Sequence, residues 1–292
     1  MKALFDELLT DAPAVTDGAW GTQLQAFGLE IGECPEIWNL KFPARVEIVA
    51  REYVEAGSRV ILTNSFGGNR FILGRHGHEN DVREINCCAV EISRRAAGAH
   101  AFVFASIGPS GKLLMSGDVT EDALLEAFEE QAAALAEGGA HALVVETMSD
   151  PVEASIAIRA AAKTGLPVVG CMVFDSGKNK DRTMMGTTVP QAVEAMTEAG
   201  ADVVGANCGQ GIEGFIELCR QFREATGLPI WIKANAGLPE MVNGKASYNT
   251  SPEEFVSHVP ALLDAGAKFI GGCCGTDPEF IRTLKKTVTA GR

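Results

Sequence analysis

The chain of 292 residues contains no run near the roughly 20 consecutive apolar residues that a membrane-spanning helix requires. Its first residues, Met1-Lys2-Ala3-Leu4-Phe5-Asp6-Glu7-Leu8-Leu9, set two acids inside the apolar stretch and so differ from a secretory leader. Positive charge is also short. Lys and Arg number 25 against 38 Asp and Glu, and the net charge of −13 argues against nucleic acid and anionic membrane as partners, because both are bound through a basic face. Low-complexity linkers are missing, so residues 1–292 read as a single domain. The eight cysteines, in a chain without a leader, read as reduced thiols or metal ligands instead of a disulfide framework, which places the protein in the cytoplasm. With 46% hydrophobic and 22% charged residues, the composition is that of a globular protein able to bury a large core without staples.

What the chain does contain is one repeated grammar. Apolar, β-type runs occur at 14–17, 59–64, 102–108, 142–147, 167–174, 202–208, 229–235 and 268–273. Their near-continuous hydrophobicity suggests strands buried on both faces. Helix-like segments lie at about 43–57, 80–98, 120–138, 151–164, 189–199, 211–226, 252–265 and 277–290. Glycines such as Gly57, Gly139, Gly200 and Gly266 follow several of them, fitting the left-handed position that closes a helix. Starts are marked by Ser251-Pro252-Glu253-Glu254 and Thr276-Asp277-Pro278-Glu279. Eight strand–helix alternations predict the α/β class and a (β/α)8 TIM barrel. A doubly wound open sheet is the competing arrangement, although no Gly-x-Gly-x-x-Gly follows the first strand.

In such a barrel the chemistry belongs to the C-terminal strand ends. Those ends carry Asp17-Gly18-Ala19-Trp20-Gly21-Thr22, Thr63-Asn64-Ser65-Phe66-Gly67, Ser106, Glu146-Thr147, Asp175, Asn207-Cys208-Gly209, Asn235-Ala236-Gly237 and Gly271-Gly272-Cys273-Cys274-Gly275-Thr276. Three thiols from two strand ends, Cys208, Cys273 and Cys274, suggest a Zn2+ site with one coordination position open. Successive strand side chains alternate, so Cys273 and Cys274 reach one ion only if the strand stops there. Glycine-rich turns let backbone N–H groups approach a carboxylate, and Asp17 or Glu146 offers a partner for an ammonium. A thiol-bearing amino acid satisfies all of these features. A free thiol is mostly protonated near neutrality, with a pKa of about 8.5, whereas zinc coordination ionises it. Three thiolate ligands keep the metal electron-rich and leave a fourth sulfur nucleophilic.

Taken together, Asp-Gly-Ala-Trp-Gly-Thr, Leu-Thr-Asn-Ser-Phe-Gly, Gly-Ala-Asn-Cys, Asn-Ala-Gly-Leu-Pro and Gly-Gly-Cys-Cys-Gly-Thr resemble the homocysteine-binding domain of cobalamin-dependent methionine synthase. Betaine– and S-methylmethionine–homocysteine methyltransferases belong to the same homocysteine S-methyltransferase superfamily. The resemblance runs from about residue 5 to residue 288. It implies zinc ligation by Cys208, Cys273 and Cys274, and an amino-acid site made of Asp17, the following turn (Gly18, Ala19, Trp20, Gly21) and Glu146. It also implies that Asn235 takes the open zinc position when substrate is absent, with no catalytic group beyond the metal and substrate ligands. The expected activity is methylation of homocysteine to methionine through a zinc-bound thiolate. Folate- and cobalamin-binding modules do not follow the eighth helix, so the methyl donor is expected from a corrinoid protein carrying cobalamin in trans, from methyl-folate, or from a small methyl-onium compound. Another thiol or selenol acceptor and a non-catalytic zinc-binding barrel are the alternatives.

The remaining candidates read as structural. Cys87 and Cys88 diverge around a helix, and Cys171 and Cys219 pack, while Cys34 lies in the loop after the first strand, near the expected mouth. His76 and His78 fall in a polar loop, and no histidine stands at a strand end. Lys233 shares the inward face of Asn235 and reads as an ion-paired layer residue in preference to a Schiff-base lysine. Lys178, Lys180 and Arg182 read as part of a solvated loop.

Overall fold

The computed structural model describes residues 2–10, 13–242 and 245–290; of the expected domain 1–292, residues 1, 11, 12, 243, 244, 291 and 292 lie outside this description. Eight parallel strands appear in the expected order: β1 (Ala14–Val15), β2 (Val60–Ile61), β3 (Phe102–Ile107), β4 (Ala142–Met148), β5 (Val168–Met172), β6 (Val203–Gly211), β7 (Ile230–Asn235) and β8 (Ala267–Gly272). Each pairs with its neighbour in sequence, and β8 returns to β1. A bridge between Thr16 and Val60 and the bond from Arg59 N to Val15 O, 2.8 Å, join β1 to β2 and close the (β/α)8 TIM barrel. Every helix of the expected outer ring forms. The segment read as 252–265 is two helices, Pro252–Ser257 and Val259–Ala265, because Pro260 has no N–H with which to continue the ladder.

Capping follows the chain's own signals. Ser251 Oγ accepts from Glu254 N at 3.1 Å. Asp277 caps the last helix, accepting from Glu279 N at 2.8 Å and Phe280 N at 3.2 Å. Thr276 is thereby free for other duties at the mouth of the barrel.

The barrel interior is layered. Near its N-terminal end Phe104, Trp231 and Phe269 fill the axis, with ring centroids 6.0 Å apart for Phe104–Trp231 and 5.2 Å for Trp231–Phe269. An additional helix, Lys2–Thr10, plugs this end: Phe5 meets Phe104 and Phe269 edge-on at 6.2 and 6.0 Å. Strand side chains alternate, so Ser106, Glu146, Asn207 and Lys233, two residues beyond Phe104, Val144, Gly205 and Trp231, share the inner face one layer nearer the C-terminal mouth. The layer is polar because the apolar floor beneath it already excludes water. Further short elements decorate this mouth: helices Gly21–Ala26 and Arg70–Gly74, and an antiparallel pair, Glu240–Val242 with Lys245–Ser247.

The plug makes a direct prediction. Phe5→Ala should lower stability by about 3 kcal/mol, the usual cost of an aromatic-sized core cavity, measured by chemical denaturation. A loss under about 0.5 kcal/mol would mean that the helix does not seal the barrel.

Candidate metal and substrate site

The sulfurs of Cys208, Cys273 and Cys274 converge at the C-terminal mouth, all within 4.8 Å of one another, with Cys208 Sγ and Cys274 Sγ 3.8 Å apart. Local backbone structure makes this convergence possible. Strand β8 ends at Gly272, so the two adjacent cysteines sit in the turn beyond it and escape strand alternation. A side chain at Gly272 would put its Cβ 2.2 Å from Thr276 Oγ1. That hydroxyl accepts from Ala19 N at 3.2 Å and donates to Cys273 O at 2.8 Å, tying the cysteine turn to the turn after β1. On β6, the ladder to β7 is interrupted between Asn207 and Gly211, and Cys208 adopts φ 63°. Thr147, at the end of β4, has φ 61°. Left-handed backbone at a non-glycine residue costs on the order of 1–3 kcal/mol and persists only where the surroundings enforce it.

Asn207 enforces the second of these. Its Oδ1 accepts from Thr147 N at 2.8 Å, and its Nδ2 donates to Thr147 Oγ1 at 2.7 Å and to Glu146 Oε2 at 3.2 Å. Glu146 also accepts from Ser106 Oγ. The Glu146 carboxyl is almost fully buried, and desolvation raises its pKa although the Lys233 charge and the Ser106 hydrogen bond oppose the rise.

A cavity of about 250 Å³ opens beside the sulfurs. It is lined by Gly18, Ala19, Trp20, Gly21 and Thr22 from the turn after β1, by Glu36, Asn64 and Phe66, and by Ser106, Glu146, Thr147, Lys233 and the three cysteines. Asp17 and Asn235 do not line it. Asp17 lies fully buried, its Oδ2 accepting from Leu62 N at 2.7 Å and Trp20 Nε1 at 2.8 Å, its Oδ1 paired with Lys233. Burial alone would lower the Lys233 pKa, but the facing carboxylates of Asp17 and Glu146 outweigh it and the ammonium is held charged. Lys233 is therefore the ion-paired layer residue that its position predicts. Cys34 is turned from the mouth, donating to Glu36 Oε2 at 3.1 Å, and burial lifts its pKa to about 12.

Hydrogen bonds from Cys273 and Cys274 hold the Cys208 thiol down to about 3, helped by Gly209 N–H and the Asn235 side chain, while Cys274 rises to about 11 and Cys273 well above its ordinary value. The three thiols titrate as a unit, in which ionising one opposes ionising the others. A divalent ion would remove that opposition. Metal–sulfur bonds of about 2.3 Å in a tetrahedron put sulfurs about 3.8 Å apart, which is the separation of Cys208 and Cys274, and a soft all-sulfur set suits zinc. Beside it, Asn235 Oδ1 is buried with no hydrogen-bond partner. The residues fit a metal.

Sequence reasoning placed Asn207 at a strand end without giving it a role, although its parity with Val203 and Gly205 marks the inner face. It missed Glu36, which arrives on a connection with no periodic signal.

The fold and site define a (β/α)8 barrel with a three-cysteine centre at the end where barrels carry their chemistry. The homocysteine S-methyltransferase family model matches residues 14–288. The chain is 30% identical to methionine synthase of Mycobacterium tuberculosis (strain ATCC 25618 / H37Rv) over 98% of its length, and 31% identical to that of Mycobacterium leprae (strain TN) over 97%. It spans about a quarter of these relatives, 26% and 25%. The metallated crystal form of the Escherichia coli homocysteine methyltransferase MmuM shares the barrel, with a TM-score of 0.79 at 22% identity and 98% of each chain covered. The chain belongs to the homocysteine S-methyltransferase family.

Two outcomes test the site's electrostatics. Lys233→Met should destabilise the fold by about 3–5 kcal/mol, because it strands the buried Asp17 charge; a neutral result by denaturation would contradict the pairing. For Glu146, whose folded pKa is raised, the stabilisation is complete below the unfolded value of about 4.3 and is lost as pH rises through the folded value. Glu146→Gln should therefore gain stability relative to the parent between acid and neutral pH, and a constant difference across urea titrations would contradict the shift.

Proposed function

We propose that the chain methylates homocysteine to methionine, with zinc held by Cys208, Cys273 and Cys274. The observation that carries this reading is the convergence of three sulfurs on the edge of a small cavity that also holds a buried carboxylate. Zinc bound there would ionise a thiol presented at its fourth position and keep that sulfur nucleophilic.

The chain's own residues do the rest. Glu146, fixed by Ser106 and Asn207, receives the substrate ammonium. Gly18, Ala19, Trp20 and Gly21 receive its carboxylate. Ala19 N–H is already given to Thr276, so the load falls on the turn's other amides, which include the first N–H groups of the helix Gly21–Ala26. Asp17 acts through its neighbours: it clamps the Trp20 indole and the Lys233 ammonium, and so sets the wall and the charge of the cavity. Asn235, with its unpartnered Oδ1, fills the open position until homocysteine arrives. The amino acid is thereby fixed at both ends of its backbone, with its sulfur at the cysteine cluster. Orientation of this kind removes most of the entropic barrier to an in-line displacement. The sulfur lone pair forms the new S–C bond while the donor departs with the electron pair of its own bond to methyl.

The donor comes from outside the barrel: a corrinoid protein carrying cobalamin in trans, methyl-folate, or a small methyl-onium compound. Residues 1–292 act as one homocysteine-binding domain. A cytoplasmic location suits the chemistry, because three clustered thiols need a reducing compartment.

Methionine formation assayed in parallel with methylcobalamin, methyl-folate, betaine and S-methylmethionine tests the reading. Cys208→Ala should lose both zinc and turnover with every donor. Glu146→Gln should keep its zinc and raise KM for homocysteine about 30-fold, the loss expected when one partner of a buried charge pair is removed. Undiminished zinc in Cys208→Ala would overturn the assignment.

A further inference from the structure

A second cavity opens on the same rim, away from the residues assigned to homocysteine or zinc. It measures about 240 Å³, close to the 250 Å³ of the cavity beside the sulfurs. The connections after β3 and β4 build it, with Pro109, Lys112 and Leu114 from one and Asp150 and Glu153 from the other, and Met185 arrives from the connection after β5. The two cavities are neighbours in the fold. Ser106 and Thr147 line the first, and a few residues further along the same two segments Pro109 and Ser149 line the second.

One wall of this cavity is a carboxylate with an empty side. Glu153 is only 5% exposed. Its Oε1 accepts from Ser110 N at 2.8 Å and from Ser110 Oγ. Its Oε2 accepts no hydrogen bond among the described residues, although Glu153 lines the cavity. Burial raises the Glu153 pKa, and the two Ser110 bonds only oppose that rise. A buried carboxylate in this condition gains most from a charged N–H donor. The other charges on the wall point the same way. Asp150 adds a second carboxylate, while the Lys112 ammonium stands over the Phe71 ring, 5.7 Å from its centre, and Phe71 does not line the cavity.

Beyond Asp150 the cavity runs into a wider one of about 490 Å³, which shares Leu114, Asp150 and Met185 with it and adds Met115 and Val152. Met115, Val152 and Met185 are exposed to water. Contiguous apolar surface of this kind marks a binding face, and unbranched methionine adapts to the shape of what it covers.

We propose that this is a second ligand site, which takes an organic cation with N–H donors on a flat apolar body. The head donates to Glu153 Oε2, and the body lies against Leu114 and Met185. No bond is made or broken there, and the site stands whether or not the cysteines hold zinc.

Benzamidine, a flat ring carrying an amidinium, is the probe, titrated into the full chain and followed by ligand-observed NMR. The parent should bind it saturably with a Kd of about 1 mM or tighter. Glu153→Gln keeps an acceptor for Ser110 but replaces the free oxygen by an amide nitrogen, and should weaken binding about tenfold or more. Met185→Trp fills the cavity without touching Glu153 and should remove the same signal, so the result does not rest on the folding of one variant. Glu146→Gln, in the first cavity, should bind benzamidine as the parent does. No saturable binding to the parent, equal affinity in Glu153→Gln, or a loss in Glu146→Gln would each overturn the site. None of these outcomes bears on the reading of the cysteine centre.

Discussion

Three sulfurs within 4.8 Å of one another, half-buried at the mouth of the barrel, cannot all carry charge unless a cation joins them. Their mutual hydrogen bonds favour ionisation at Cys208 and oppose it at Cys273 and Cys274. Much of the mouth is arranged around holding the sulfurs there. Strand β8 stops one residue short of Cys273, the ladder beside Cys208 breaks, and that residue accepts a left-handed backbone. These are the places where regular strand geometry would have pointed the sulfurs apart.

Beneath the sulfurs, the Asp17–Lys233 pair is a second constraint. A buried pair of this kind gains little net stability, yet removing either partner is costly. Its position explains why it is kept. Asp17 ties together the backbone of Leu62 at the end of β2, the Trp20 indole and Lys233 on β7, and Lys233 shares its layer with Glu146. The pair joins the polar layer, to which Lys233 belongs, to the end of β1 above the aromatic floor of Phe104, Trp231 and Phe269. Charge is thus available to the cavity wall, and the two buried charges neutralise each other.

Much of this is legible in the sequence. Hydrophobic runs with glycine punctuation identify all eight strands and the ring of helices, because buried parallel strands and left-handed caps leave strong local signals. Cys208, Cys273 and Cys274 can be grouped from their strand-end positions, since a barrel brings every C-terminal strand end to one face. The structure places Asp17 differently from the simplest expectation, below the cavity instead of on its wall, because sequence position shows a strand end but not which of its oxygens the neighbours will occupy. Asn207 stands in plain view as part of Gly-Ala-Asn-Cys, but its clamp on Thr147 joins two strands and is a property of the fold alone.

The central claim is that the three sulfurs hold zinc and leave one place for the substrate sulfur. Zinc-edge X-ray absorption of the parent protein, before and after homocysteine is added, addresses it directly. The account predicts three sulfur neighbours and one oxygen or nitrogen at first, then four sulfurs at about 2.3 Å. A metal that keeps its original neighbours when homocysteine is present at saturation would contradict it.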